Sequence, residues 1–293
     1  MKTSMPDIRI GDVTVSAIFE FERQRRTPEE FFIGATNAVA QEHYRQMPPV
    51  FYNAQTGAFT MTFQSFLVRT PRHNILVDTC YGHGKFDIAP DTSVWADNLH
   101  RLGLDFADID YVFCTHLHVD HTGWNTSLEN GKWVPTFPRA KYIFSRVEYE
   151  YWQQVAQTGV VPPRQRDGVW QTNCLPIAEA NQAILIGDRY DIDDTISIIP
   201  TPGHSPGHYC VSIHSGGLEA IALGDLMHHP LQCREPAWST HFCWDPALAT
   251  QSRLQILNHA ADQNSILLPV HFPAPTAGRV DRDGDAFSYH FLE

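Results

Sequence analysis

A six-residue stretch of metal-ligand side chains constrains the fold of this chain more than any other segment. Three imidazoles and one carboxylate lie at His116, His118, Asp120 and His121, in the spacing H-x-H-x-D-H. The stretch directly follows an apolar strand candidate at 111–115, so it lies where a buried strand ends. Because buried polar groups are costly without partners and histidine is the commonest metal ligand, the motif predicts a metal site there.

Three further polar residues follow other apolar runs. His204 lies in the turn T-P-G-H-S-P-G-H at 201–208, where proline and glycine fix a tight turn. Asp225 follows a glycine after the run 219–223, and His271 closely follows the run 266–269. Each signal is weak by itself. Together, four strand ends that supply histidine and aspartate are typical of a site built at one sheet edge of an α/β scaffold.

Short apolar runs alternate with helical segments along the chain. Strand candidates rich in Ile, Val, Phe and Tyr lie at 13–19, 62–69, 74–78, 111–115, 141–144, 196–200, 210–214, 219–223 and 266–269. Helix candidates lie at 92–102, 146–157 and 246–263, the last with Asp245 as its N-cap and Pro246 at the first helical position. This alternation favours a layered α/β architecture.

The chain reads as one domain covering 1–293, interrupted by two excursions. Prolines and few periodic runs mark the first at about 27–56, and prolines and glycines break the second, an inserted loop at about 157–173. Neither excursion is long enough to be a domain. The first is a candidate cap over the active site or a candidate homodimer contact.

Charge and composition exclude several partners. Twenty-one lysines and arginines against 33 aspartates and glutamates give a net charge of −12, which argues against nucleic acid and against an anionic membrane. The start of the chain lacks the apolar core of a signal peptide, and no run approaches the roughly 18 apolar residues of a membrane span. Six scattered cysteines are expected to be free thiols. We therefore expect a cytoplasmic protein with a small-molecule substrate.

The four motifs together resemble the metallo-β-lactamase-fold hydrolase superfamily, over a stretch from about residue 74 to residue 271. The resemblance implies a four-layer αββα sandwich with a two-metal centre between the sheet edges. It implies that the first metal is held by His116, His118 and His204, that the second is held by Asp120, His121 and His271, and that Asp225 bridges both.

Five imidazoles and two carboxylates are borderline ligands, which suit zinc, with iron, manganese or cobalt as alternatives. Two such ions can lower the pKa of a bridging water and generate hydroxide near neutral pH. The resemblance implies that Asp120 is catalytic and orients this nucleophile.

Within the superfamily, the chain is most similar to the branch of N-acyl-homoserine lactonases, arylesterases and organophosphate hydrolases. The stretches 74–80, 123–125 and 224–228, with Gly82 and Gly84, carry this likeness. We expect a dinuclear hydrolase that opens a lactone or carboxylic ester with an apolar or aryl portion. The alternatives are an aryl phosphotriester hydrolase or hydrolytic dehalogenase on the same metals, and an iron-dependent oxidoreductase resembling persulfide dioxygenases.

Residues beyond the ligands are candidates for the substrate pocket. These are His83, His228, His229, Trp238 and Trp244. Lactonases of this branch use a phenolic donor on the substrate carbonyl, for which the sequence offers Tyr81, Tyr151, Tyr190 and Tyr209 without deciding among them.

Overall fold

Two β-sheets face each other at the centre of the protein, and helices cover their outer faces. The computed structural model describes residues 5–86, 94–188 and 190–292. The strands are β1 (Ile8–Ile10), β2 (Val13–Gln24), β3 (Thr60–Arg69), β4 (Asn74–Val77), β5 (Tyr111–Phe113), β6 (Thr126–Glu129), β7 (Lys132–Pro135), β8 (Lys141–Ser145), β9 (Ala183–Ile186), β10 (Ile196–Pro200), β11 (Tyr209–Ser215), β12 (Leu218–Ala222), β13 (Ile266–Leu268), β14 (Gly278–Asp283) and β15 (Ala286–Phe291). The α-helices are α1 (Pro28–Phe31), α2 (Asn37–Tyr44), α3 (Trp95–Arg101), α4 (Arg146–Thr158), α5 (Leu175–Glu179), α6 (Leu231–Arg234) and α7 (Pro246–Gln263).

The first sheet has the strand order β1-β2-β3-β4-β5-β8-β9, and the second has the order β10-β11-β12-β13-β14-β15. Strands β4, β5, β8 and β9 are parallel to one another, and β12 is parallel to β13. Strands β6 and β7 form a separate hairpin. The carboxyl ends of neighbouring parallel strands meet at the same edge of a sheet, so β4 and β5 deliver their following loops to one place, as do β12 and β13.

The main core lies between the two sheets. On β4, Ile75 and Val77 face this core together with Ile198 and Val211 of the second sheet, whereas Leu76 points to the opposite face. This is the period of two that a strand imposes on its side chains. Helices α3, α4 and α5 pack on the outer face of the first sheet, and α6 and α7 pack on the outer face of the second. The αββα architecture implied by the resemblance is therefore confirmed.

All nine strand candidates correspond to strands, with ends that shift by up to five residues. The helix expected at 146–157 continues to Thr158, and the one expected at 246–263 matches α7. The helix expected at 92–102 begins at Trp95, and its first two residues, Thr92 and Ser93, lie outside the described residues. Strands β1, β6, β7, β9, β14 and β15 were not expected.

The N-terminal excursion folds into α1, α2 and a 3₁₀ turn. Phe32 and Tyr44 pack with Leu231 and Trp238 of the second half of the chain, while the neighbouring Phe31 lines a cavity. The excursion therefore anchors itself on the body of the protein and contributes one side chain to the cavity. Within the described ranges, no helix combines the length and apolarity that crossing a membrane requires.

Candidate metal centre

The structure brings all seven expected ligands together at the facing edges of the two sheets. His116, His118, His204 and Asp225 form one group of potential ligand atoms, and Asp120, His121 and His271 form a second. Within each group the atoms lie within 4.8 Å of one another. Each group draws on loops that follow strands of both sheets, so the centre depends on the packing of the sandwich.

The first group is buried and closely spaced. His118 Nδ1 lies 2.9 Å from His116 Nε2 and 3.0 Å from His204 Nε2. Asp225 Oδ2 lies 3.0 Å from the same nitrogen of His204. Three ring nitrogens and one carboxylate oxygen thus converge on a small volume, with donor types that suit a zinc-like ion.

The second group surrounds the other oxygen of the same carboxylate. Asp225 Oδ1 lies 2.8 Å from His271 Nε2 and 3.0 Å from His121 Nε2, and Asp120 Oδ2 lies 3.8 Å from each of these nitrogens. Asp225 Oδ1, His121 Nε2 and His271 Nε2 are buried and lack a hydrogen bond among the described residues. Because orphaned buried polar atoms are rare, these three atoms fit a bound cation.

The electrostatics of the centre supports the same assignment. Burial and the neighbouring imidazoles hold the pKa of His116 and His118 well below the usual range, so both rings are neutral and can offer lone pairs. Burial would also lower the pKa of His204, but the Asp225 carboxylate outweighs it and raises the pKa to about 10. The carboxylate therefore attracts positive charge to the place where the ligand atoms meet.

Each ligand histidine has a partner for its second ring nitrogen. These contacts join His116 Nδ1 to Thr115 Oγ1 (3.1 Å), His118 Nε2 to the amide of Gln165 (2.9 Å), His121 Nδ1 to Asp78 Oδ2 (2.8 Å), His204 Nδ1 to Cys243 Sγ (3.7 Å) and His271 Nδ1 to the carbonyl oxygen of Thr62 (2.8 Å). Such partners orient metal ligands and fix which nitrogen faces the metal.

Asp78 supports both groups. Its carboxylate accepts hydrogen bonds from the backbone N–H of Thr115 (2.8 Å), from Thr115 Oγ1 (2.8 Å) and from His121 Nδ1 (2.8 Å). Since Thr115 Oγ1 donates to Asp78, it accepts from His116 Nδ1. One buried carboxylate thus directs Nε2 of both His116 and His121 toward the centre.

Sequence reasoning missed Asp78, His208 and Glu148. His208 accepts a hydrogen bond from the backbone N–H of Asp225 (3.0 Å) through Nε2, and burial lowers its pKa to about 3. Glu148 accepts from the backbone N–H of Leu117 (3.4 Å) and of Gly207 (3.1 Å), which joins two ligand loops. The sequence shows that Asp78 lies at the end of a strand candidate, two residues before Cys80. It gives no sign that the Asp78 side chain contacts His121.

A cavity of about 200 Å³ opens over the centre and is lined by His118, Asp120, His204 and Asp225 among others. His228, expected in the pocket, lines it, and its Nε2 lies 3.1 Å from Asp225 Oδ2.

A neighbouring cavity of about 360 Å³ shares His118 and His204 with the first and is walled by Trp244, expected in the pocket, and by Trp152. Gln165 and Phe242 also line both cavities.

Three other pocket candidates lie outside the two described cavities. Trp238 packs against Phe32, and His229 is buried with its Nε2 3.1 Å from the carbonyl oxygen of Phe51, so neither lines the described cavities. His83 is exposed and also lies outside both linings. The N-terminal excursion covers Trp238 and His229. The closeness of these two residues to Asp225 in the sequence could not reveal this contact.

The tyrosine candidates separate clearly. Tyr81 lines the cavity, and burial together with the Asp120 carboxylate raises the pKa of its phenol well above the ordinary value. Tyr151 lines the neighbouring cavity. Tyr190 and Tyr209 pack at the core between the sheets, where the Tyr209 hydroxyl donates to the carbonyl oxygen of Gly187.

Comparison with known proteins finds a matching family model and several curated relatives. A family model described as "Metallo-beta-lactamase superfamily" matches residues 64–271. The chain is 35% identical over 132 residues to the N-acyl homoserine lactonase AttM of Rhizobium radiobacter, covering 43% of this chain and 44% of that protein. It is 30% identical over 125 residues to the N-acyl homoserine lactonase AiiA of Bacillus thuringiensis subsp. kurstaki, covering 43% and 41%. The chain thus spans less than half the length of these curated relatives.

Two solved structures superpose over nearly the whole chain. The hydrolase AbOPH matches with a TM-score of 0.83 at 20% identity, over 100% of this chain and 99% of that one. AidC, described as a dizinc quorum-quenching lactonase in complex with a product, matches with a TM-score of 0.82 at 20% identity, over 99% and 98%. At this identity the likeness establishes the fold.

Proposed function

This chain belongs to the metallo-beta-lactamase superfamily, and from that premise we propose that it is a dinuclear metal-dependent hydrolase that opens a lactone or a carboxylic ester. One observation carries the proposal: the Asp225 carboxylate belongs to the first group of ligand atoms through Oδ2 and reaches the histidines of the second through Oδ1, and three of the atoms around it have no hydrogen-bond partner among the described residues. The two sets together account for five imidazoles and two carboxylates, a donor set that suits zinc.

In this proposal His116, His118, His204 and Asp225 hold one ion, and Asp225, Asp120, His121 and His271 hold the other. When bound, two divalent ions would lower the pKa of a water between them and polarise the substrate carbonyl.

The protein supplies proton handling and orientation. Asp120 lines the cavity with its side chain 15% exposed, so its carboxylate can take up the proton released as water attacks. Tyr81 keeps its proton at neutral pH because burial raises its pKa, and its phenol can donate to the carbonyl oxygen or to the leaving oxygen.

The neighbouring cavity accounts for the apolar portion of the substrate. It is walled by Tyr151, Trp152, Pro206 and Trp244, and it meets the first cavity at His118 and His204. A bound acyl or aryl group would therefore extend from the metal centre along indole and proline surfaces, which suit such a group.

Steady-state hydrolysis by the zinc-loaded protein tests the proposal. An acyl-homoserine lactone, an aryl acetate and a phosphotriester are compared in parallel, with oxygen uptake measured on a persulfide. We expect turnover of the lactone or the acetate, about two metals per chain after dialysis, and loss of at least 100-fold in kcat for Asp120→Asn.

His116→Asn removes a ligand, and His214→Asn is its matched control because His214 is exposed on β11 away from the centre. We expect only the first variant to lose metal and activity. Fewer than one metal per chain, or full activity in Asp120→Asn, contradicts the proposal. Preferred turnover of the phosphotriester would instead support an aryl phosphotriester hydrolase. Oxygen uptake with a single iron would support an iron-dependent oxidoreductase.

A further inference from the structure

Five arginines line the cavity over the metal centre in a protein whose net charge is −12. Three of them, Arg23, Arg25 and Arg26, lie at the end of β2 and directly after it, and Arg164 and Arg166 lie in the inserted loop. They are five of the 21 lysines and arginines in the chain. The acidic residues in the lining are Asp120 and Asp225, and both are assigned to the metals.

A single aromatic ring, that of Phe63, lies between Arg23 and a histidine of the second ligand group. Its Cζ lies 4.8 Å from the ring centroid of Phe63, and that ring lies 5.1 Å from the ring of His271. The same Cζ lies 5.4 Å from the ring of Tyr81. Stacking on aromatic faces holds a guanidinium plane in place.

Arg26 occupies the corresponding place beside His228. Its Cζ lies 5.8 Å from the ring centroid of Phe31 and 5.1 Å from that of Phe242. The Phe31 ring lies 5.4 Å from the ring of His228. The β2 segment thus places one guanidinium group a single ring away from the ligand His271 and another a single ring away from His228.

The inserted loop closes the cavity from the opposite part of the chain. Gln165 contacts His118 Nε2 at 2.9 Å, so the two arginines that flank it in sequence are held near the first ligand group. Arg164 and Arg166 are exposed and line the cavity. Arginines separated by about 140 positions in the sequence are therefore brought to one opening.

The guanidinium groups that line the cavity repel one another because they carry the same charge. Within the described ranges, no carboxylate lies in ion-pair distance of Arg25, Arg26, Arg164 or Arg166. Burial lowers the pKa of the Arg26 guanidinium, and repulsion from Arg25 and Arg164 lowers it further. A chain with an excess of 12 acidic residues has carboxylates to spare for neutralising these four groups, so their lack of a carboxylate partner in the described ranges indicates an anion that arrives from outside.

We propose that the substrate carries an anionic group, a carboxylate or a phosphate, beyond its scissile carbonyl, and that the cavity arginines bind this group. The inference rests on the proposed hydrolase function for the position of the scissile bond. It narrows the substrate class from apolar esters and lactones to those that present an apolar segment and a fixed negative charge.

Three p-nitrophenyl esters of similar length test the charge preference. The butyrate is neutral, the mono-glutarate ends in a carboxylate, and the 4-(trimethylammonio)butyrate ends in a cation. For the zinc-loaded protein we expect kcat/KM for the glutarate to exceed that for the butyrate by about tenfold, with the cation slowest. Raising NaCl from 20 to 500 mM should shrink the preference, since salt screens exposed charges.

The double variant Arg164→Gln/Arg166→Gln removes two exposed charges, and Arg139→Gln is its control because Arg139 is exposed outside the cavity linings. We expect the double variant to lose about fivefold to tenfold in kcat/KM for the glutarate, mainly through KM. Turnover of the butyrate should stay within twofold, and the control should change neither substrate.

Calorimetric binding separates this inference from the hydrolase proposal. Glutarate, glycerol phosphate and butyrate are titrated into the zinc-loaded protein; butyrate controls for a carboxylate that binds only the metals. Tighter binding of glutarate or of glycerol phosphate, weakened in the double variant, supports the anion site even if no ester is hydrolysed. Equal turnover of the three esters, or binding that Arg164→Gln/Arg166→Gln does not change, overturns it.

Discussion

Replacing Asp78 with asparagine isolates the role of one buried carboxylate. In the native protein, Asp78 Oδ1 accepts the backbone N–H of Thr115 and Oδ2 accepts Nδ1–H of His121, both at 2.8 Å. The backbone donor cannot turn away, so the amide oxygen of an asparagine must stay on the Thr115 side. Its NH₂ group then faces His121 Nδ1, which is forced to become an acceptor.

The forced change moves the imidazole proton to Nε2, the nitrogen 3.0 Å from Asp225 Oδ1. That nitrogen must be unprotonated to bind a metal, so binding in the Asp78→Asn variant has to reverse the tautomer. Losing such a partner typically costs about 10–100-fold in metal affinity, or about 1.4–2.8 kcal/mol. The first group should be affected less, because Thr115 Oγ1 can still accept from His116 Nδ1.

Competition between the protein and a chromophoric chelator resolves the two binding steps and gives both affinities. Asp193→Asn is the matched control, because Asp193 also accepts from a backbone N–H, that of Thr195 (2.8 Å), and from a histidine, His73 (3.3 Å), outside both ligand groups. Two results would refute the reasoning: a second-metal affinity within threefold of the native protein, or an equal loss in both variants.

Two further outcomes are expected, from chelation and from pH. Removing the metals with EDTA leaves Asp225 Oδ1 and His271 Nε2 buried without partners. Restoring zinc at 100 times its Kd should therefore raise the free energy of unfolding by about 2.7 kcal/mol, and Tm in a thermal melt by about 5 °C or more. An unchanged Tm would contradict this. Burial lowers the pKa of Lys85 to about 7, so between about pH 7 and pH 10 the unfolded chain binds this proton more tightly than the folded protein does. Over that range the free energy of unfolding should therefore rise by up to about 1.4 kcal/mol per pH unit relative to Lys85→Met. Urea unfolding at several pH values measures the difference, and parallel curves for the two proteins would contradict it.

The seven candidate ligands could be found in the sequence because each lies in a loop that follows an apolar run, and the end of a strand is visible in sequence. The supporting residues could not. Asp78 lies 43 positions from His121, and its left-handed backbone (φ 61°) is a property of the folded turn. His208 looked like one more residue of a glycine-proline turn, although it fixes the backbone of Asp225.

Some pocket candidates lie outside the described cavities for a related reason. His229 follows the pocket residue His228 by one position, yet its ring faces the N-terminal excursion, where it contacts Phe51 edge-on. Strand β14 is mostly charged, and β15 alternates aromatic residues with small or polar ones, so neither contains the continuous apolar run by which strands were predicted. Tertiary packing decides such segments, and a single sequence does not display it.

The net negative charge of the chain disfavours an anionic ligand, whereas the arginines that line its cavity favour one. The distance of each set of charges from a bound molecule decides which set matters more. At physiological ionic strength the Debye length is about 8 Å, so carboxylates spread over the surface act weakly on a molecule inside the cavity. The arginines of β2 and the inserted loop line that cavity directly, and their effect is focused by its low-dielectric walls. A charge of −12 therefore disfavours a polyanion that must lie along a broad surface, as nucleic acid does. It does not exclude a small anion that enters between Arg26 and Arg164.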